Sequence, residues 1–151
     1  ALLAYANFST DMGMSGPSAV ILPSNAAGEA VTINLHGVDY DAASDTVIVT
    51  DVGSADDNTD GHIYAIPGAS MADGNVTVSL HITGPESRLG NPVDLEFDGS
   101  GIYVAEKAND LVLYYANILD MTGMMDATAT ISFEITKPES VFLAHMMSGD
   151  M

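Results

Sequence analysis

The stretch Asn91-Pro92-Val93-Asp94-Leu95-Glu96-Phe97-Asp98-Gly99-Ser100-Gly101-Ile102-Tyr103-Val104-Ala105-Glu106 decides the fold class. Apolar residues alternate with acidic ones up to Phe97, an Asp-Gly turn follows, and a β-branched and aromatic run closes the unit. That is the pattern of two antiparallel strands joined by a hairpin. Upstream, Gly37-Val38-Asp39-Tyr40-Asp41 followed by Thr46-Val47-Ile48-Val49-Thr50-Asp51 parallels it. Residues 75–82 and 129–135 alternate with period two and read as half-buried strands. Turn clusters lie between them at 54–61, 72–74, 84–87 and 98–101. The best helical candidate, 118–125, is short and carries Thr122-Gly123. The chain therefore reads as all-β.

Three further segments match one another: Leu3-Ala4-Tyr5-Ala6-Asn7, Ile63-Tyr64-Ala65-Ile66 and Leu113-Tyr114-Tyr115-Ala116-Asn117. Each precedes a similar turn: Asp11-Met12-Gly13-Met14, Met71-Ala72-Asp73-Gly74 and Asp120-Met121-Thr122-Gly123. Tyr5, Tyr64 and Tyr115 thus recur roughly every 50–60 residues, which is the length of a four-stranded repeat. Such a sheet has two faces and must stack against neighbours to cover them.

Residues 91–106 resemble a repeat of the NHL-type β-propeller. In that family a Pro-led inner strand runs to an Asp-Gly turn and then to a strand with a Tyr-Val-Ala-acid core. The resemblance spans about residues 31–135 and implies antiparallel four-stranded propeller-like blades. The expected division of the single all-β unit is a partial blade over 1–30, blades over 31–83 and 91–135, and the start of another over 138–151. Fewer than three blades is too few for closure, since closed propellers hold about four to eight. The expectation is additional blades from a longer polypeptide, self-association of copies, or an open stack.

The 151 residues carry 3 Lys+Arg against 21 Asp+Glu, a net charge of −18, and no cysteine. Nucleic-acid binding through phosphate contacts is excluded, because almost nothing is present to neutralise phosphates. Cysteine nucleophiles, disulfides and zinc–thiolate sites are excluded as well. No run reaches the roughly 18 apolar residues of a membrane span. The acidic surface repels itself at low salt. It suits either an exported protein in a cation-rich setting (extracellular, periplasmic or on the cell surface) or a salt-adapted organism. Nine methionines suit the filling of gaps between sheets. Asn7-Phe8-Ser9 and Asn75-Val76-Thr77 have the form of glycosylation sequons.

The sharpest local motif is Asp56-Asp57-Asn58-Thr59-Asp60-Gly61. Asp56, Asn58 and Asp60 alternate as oxygen ligands do in the first half of a calcium loop, and Gly61 permits a sharp turn. The position where an EF-hand needs Glu holds Pro67. Asp51 is the upstream carboxylate that would complete such a site. The same residues equally suit a solvated acidic hairpin loop. His36 with Asp39, Asp94 and Glu96 would line a propeller mouth like the metal site of lactonase propellers, if the blades converge. The repeat-equivalent pairs Asp39/Asp94 and Asp51/Glu106 also suit a structural role, binding backbone N–H groups. No nucleophile elbow or phosphate loop is present.

The leading expectation is a non-catalytic binding or scaffold module, calcium-stabilised, with an unidentified protein or carbohydrate partner. The alternatives are a segment of a calcium-dependent lactonase-like hydrolase, and a structural subunit that assembles through open sheet edges or blade faces.

Overall fold

The computed structural model describes residues 1–6, 10, 16–54 and 56–144. His145, the Asn7-Phe8-Ser9 sequon and Met12, Met14, Met146, Met147 and Met151 lie outside the described residues. Among the described residues twelve strands form three sheets. Sheet I holds β1 (Leu2–Ala4), β2 (Ala19–Ser24) and β6 (Gly74–Thr77). Sheet II holds β3 (Leu35–Asp41), β4 (Thr46–Asp51), β5 (His62–Pro67), β7 (Leu80–Ile82) and β11 (Gly123–Met125). Sheet III holds β8 (Pro92–Phe97), β9 (Ile102–Glu106), β10 (Leu111–Tyr115) and β12 (Ile131–Glu134). The all-β reading stands. Among the described residues no helix is long and apolar enough to cross a membrane.

Two of these groups are four-stranded antiparallel meanders: β3-β4-β5-β7 and β8-β9-β10-β12. Each opens with a hairpin whose turn is closed by an aspartate. Asp41 accepts the N–H groups of Ala43 and Ser44, and Asp98 those of Ser100 and Gly101. Short polar side chains that bond two or three residues ahead mimic a backbone turn and fix the hairpin. The 118–125 segment is not a helix: a 3₁₀ turn over Ile118–Asp120 leads into β11.

The alternating run 75–82 is not one strand, as its periodicity suggests. The chain leaves sheet I after β6 and enters sheet II at β7. At the crossing the Val78 N–H donates to the Ser24 carbonyl and the Ser79 N–H to the Ala65 carbonyl. Periodicity reports which side a residue faces, not which sheet receives it. The result is a recurring device. β6, from the second unit, extends β2 in parallel; β11, from the third unit, extends β7 in parallel. Sheets I and II thus each receive a strand from the unit that follows.

The sheets stack in sequence order. Ile21, Val49, Tyr64 and Ile66 form the core between sheets I and II. A larger core with Ile48, Ile63, Leu80, Val104, Leu113 and Tyr115 fills the space between sheets II and III. Full burial of each such aliphatic side chain is worth about 1.5–3 kcal/mol. β3 and β8, the first strands of the two meanders, run side by side at this junction. A Cβ at Gly37 would stand 2.8 Å from the Asp94 Cα, so the backbones themselves touch.

Candidate functional site

The end of the stack where β4, β7 and β9 finish collects the 52–61 loop, the 83–91 crossing between meanders and the 107–110 turn. Two buried carboxylates organise it. Asp51 Oδ1 accepts the N–H groups of Asn34 (2.8 Å) and Gly53 (2.8 Å), and Oδ2 that of Ile33 (2.7 Å). Glu106 accepts N–H bonds from Gly90 (3.0 Å), Asn91 (2.8 Å) and Ala108 (3.0 Å). Each acid ties the segment entering its meander to the turn leaving its own strand. Neither is exposed to solvent. A buried charge must be paired or hydrogen-bonded, and these are held by backbone donors.

The next repeat-equivalent pair behaves alike. Asp39 accepts the N–H of Phe97 across the sheet junction at 2.8 Å. Asp94 accepts the N–H of Val141 at 3.0 Å and the hydroxyl of Ser140 at 2.7 Å. Asp39 and Asp94 therefore each reach forward to the following segment. The tyrosines complete the correspondence: Tyr64 donates its hydroxyl to the Val31 carbonyl and Tyr115 to the Ser87 carbonyl. Burial pushes both phenols well above their ordinary range. Sequence reasoning matched the tyrosines but assigned them no role; the bond to the preceding crossing was the missing signal.

A cleft of about 620 Å³ opens between the 52–61 loop and the 83–91 crossing. Asn58, Asp60, His62, Thr83, Arg88 and Asn109 line it. Of the candidate calcium residues, Asp56 is exposed, while Asn58 and Asp60 face this cleft. Asp60 Oδ2 accepts the Ser54 N–H at 2.8 Å, but Oδ1 is buried and has no hydrogen-bond partner among the described residues. Gly53, at φ +63°, allows the loop to press against that carboxylate, and a side chain there would collide with it. Asp51 is occupied by its three N–H donors. Among the described residues, no three His, Cys, Asp or Glu side chains come together as a metal-binding group.

His36 lies in a separate cleft of about 310 Å³ with Asn34, Asn91, Lys107 and Glu139. Lys107 and Glu139 form an ion pair there. Asp39, Asp94 and Glu96 do not line that cleft, so the structure does not assemble the mouth outlined from the sequence.

A histidine pair went unread in the sequence because its members lie on different strands. His81 Nε2 and His62 Nδ1 are 3.1 Å apart, with the Tyr64 ring 4.6 Å from His81 between centroids. Burial lowers the pKa of both, and His62 lowers that of His81 further, to about 4. A depressed base must be charged on acidification, so its stabilising effect is present above pH 6.5 and lost as pH falls towards 4. Stability is expected to drop by on the order of 1–2 kcal/mol over that window, after allowance for partial solvent screening. In urea melts at pH 7 and pH 5, His81→Phe should flatten this drop.

Compared with family models, curated proteins and solved structures, the chain matches none.

Proposed function

We propose that this chain is a non-catalytic, propeller-like binding or scaffold module whose meanders are blades and whose loop end recognises a partner. The observation that carries this reading is the use made of the repeat-equivalent acids. Asp39, Asp94, Asp51 and Glu106 all bind backbone N–H groups: Asp39 and Asp94 reach forward to the following segment, and Asp51 and Glu106 fasten the entry of each meander to its own loop end. Carboxylates whose oxygens are taken up by backbone donors serve the architecture, and a rigid scaffold that presents variable loops is a common platform for recognition. The cleft beside Asn58, Asp60 and Arg88 is the concave part of that surface, and its few polar side chains set in a largely apolar wall suit a protein or carbohydrate partner. The net charge of −18 supports an exported, cation-rich setting.

Calcium fits the loop on one observation: the buried Asp60 Oδ1, which has no partner among the described residues. An unpaired buried carboxylate oxygen is costly, and a hard cation satisfies it. Asp60, Asn58 and Asp56 would hold the ion, and its contribution would be to stiffen the loop. At calcium concentrations a hundred-fold above Kd, the melting temperature should rise by about 5–10 °C. Asp60→Ala should abolish the rise; an unchanged rise would remove calcium from the account. For the non-catalytic reading, lactone and ester panels should show no turnover with or without calcium. Turnover that is lost in Asp39→Asn would favour a hydrolase instead.

A further inference from the structure

The last strand of the stack has its apolar side on the outside. On β12, Ser132 and Glu134 oppose Leu113 and Leu111, whose side chains are buried towards sheet II. The Arg88 guanidinium donates to Ser132 Oγ from that side at 3.2 Å. Ile131 and Phe133 oppose Tyr114 and Val112 on the other face, away from the body. They are 44% and 53% exposed, and Ile135 just beyond is 51% exposed. On the face of sheet II turned to the following sheet, Ile48 and Ile63 are fully buried.

The other end of the stack mirrors this. Leu2 and Ile21 point into the core between sheets I and II. Leu3 and Val20, paired across β1 and β2, face outward with Leu22, at 54%, 36% and 38% exposure. Stacked sheets cover their apolar faces on a neighbouring sheet, and here the outer faces of sheets I and III both carry exposed apolar side chains. The edges agree. β2 and β7 each carry a parallel strand from the next unit, whereas β12 carries none among the described residues.

We propose that the two ends bind each other in different copies of this chain, head to tail, the outer face of sheet III docking on the outer face of sheet I of a second copy. A second copy fits because this contact continues the two interfaces already built inside the chain. The surface that needs covering on sheet III is the repeat equivalent of the one that sheet III itself covers on sheet II. The contact is heterologous, so it closes into a ring or runs on as a filament. Glu96, opposite Tyr103, brings negative charge to the same face, so screening by salt favours association. The inference uses the stacking and neither the loop cleft nor calcium, so it can fail while the recognition reading holds, and the reverse.

The test is mass photometry and analytical ultracentrifugation of the 151-residue chain at tens of micromolar, in 0.15 M and 1 M salt. Assemblies larger than a monomer are expected, with more at high salt. Phe133→Asp disables one end and Leu22→Asp the other. Both positions are exposed, so circular dichroism should be unchanged, and Ile131→Lys with Val20→Lys gives a second pair. Each variant alone should be monomeric, while a 1:1 mixture should form a heterodimer and stop there. A wild-type monomer under all conditions would overturn the proposal. So would variants that still dimerise alone, which would indicate a self-complementary contact, or mixed variants that stay apart.

Discussion

Replacing Glu106 by Ala should cost about 3–5 kcal/mol of folding stability, read by urea denaturation at pH 7. The carboxylate accepts N–H bonds from Gly90, Asn91 and Ala108 in a place without solvent. Truncation leaves those donors buried and unpaired, and it frees the 83–91 crossing from the end of β9. Glu106→Gln keeps the shape and one acceptor and should cost about 1–2 kcal/mol. Asp51→Ala should resemble Glu106→Ala, because it strips Ile33, Asn34 and Gly53 of the same kind of partner. A large loss at one position and none at the other would contradict their equivalence. The pH dependence has a definite sign. Burial outweighs the N–H donors and holds the Glu106 pKa above its ordinary value. Its contribution is therefore full below the unfolded-state pKa of about 4.5 and declines as pH rises through the folded one. The stability gap between wild type and Glu106→Gln should narrow as pH rises through that range.

Gly37→Val should be strongly destabilising, at about 3 kcal/mol or more. An added Cβ at this position meets the Asp94 Cα at 2.8 Å and the Leu95 nitrogen at 2.9 Å. Both are backbone atoms of β8, so no side chain can swing aside. The two meanders must part at the strands where Asp39 reaches the Phe97 N–H, and that bond should weaken with them. Gly16→Ala, with nothing among the described residues within 4 Å of the added carbon, is the control and should stay within about 0.5 kcal/mol. Equal stability of Gly37→Val and wild type would mean that the sheets do not approach this closely.

The strands that decide the fold were legible because their apolar residues alternate with period two and their turns are chemically marked. Asp98-Gly99 and Asp41 announce their hairpins, and β4, β8 and β9 follow. The repeat was legible at Tyr64/Tyr115 and Asp51/Glu106, since equivalent residues keep equivalent jobs. The split of 75–82 between β6 and β7 was not, because alternation continues through a change of sheet. The outward apolar face of β12 was hidden for a related reason: a pattern of two faces does not say which one is covered. Of the loop motif, Asn58 and Asp60 do share a cleft, but the orphaned Asp60 oxygen depends on Gly53 and Ser54, which a ligand-spacing pattern does not contain. The His62–His81 contact spans β5 and β7, and no local spacing encodes it.

Hydrogen exchange by NMR tests the stacked-repeat claim most directly. The amides of Ile33, Asn34, Gly90 and Asn91 lie outside the strands, where loop amides ordinarily exchange fast. Their bonds to Asp51 and Glu106 should give them protection comparable to the amides inside β4 and β9, and Asp51→Asn or Glu106→Gln should remove it from the matching pair alone. Fast exchange at all four amides in the wild-type chain would contradict the account, because the acids would then be unbound to the crossings and available for other chemistry.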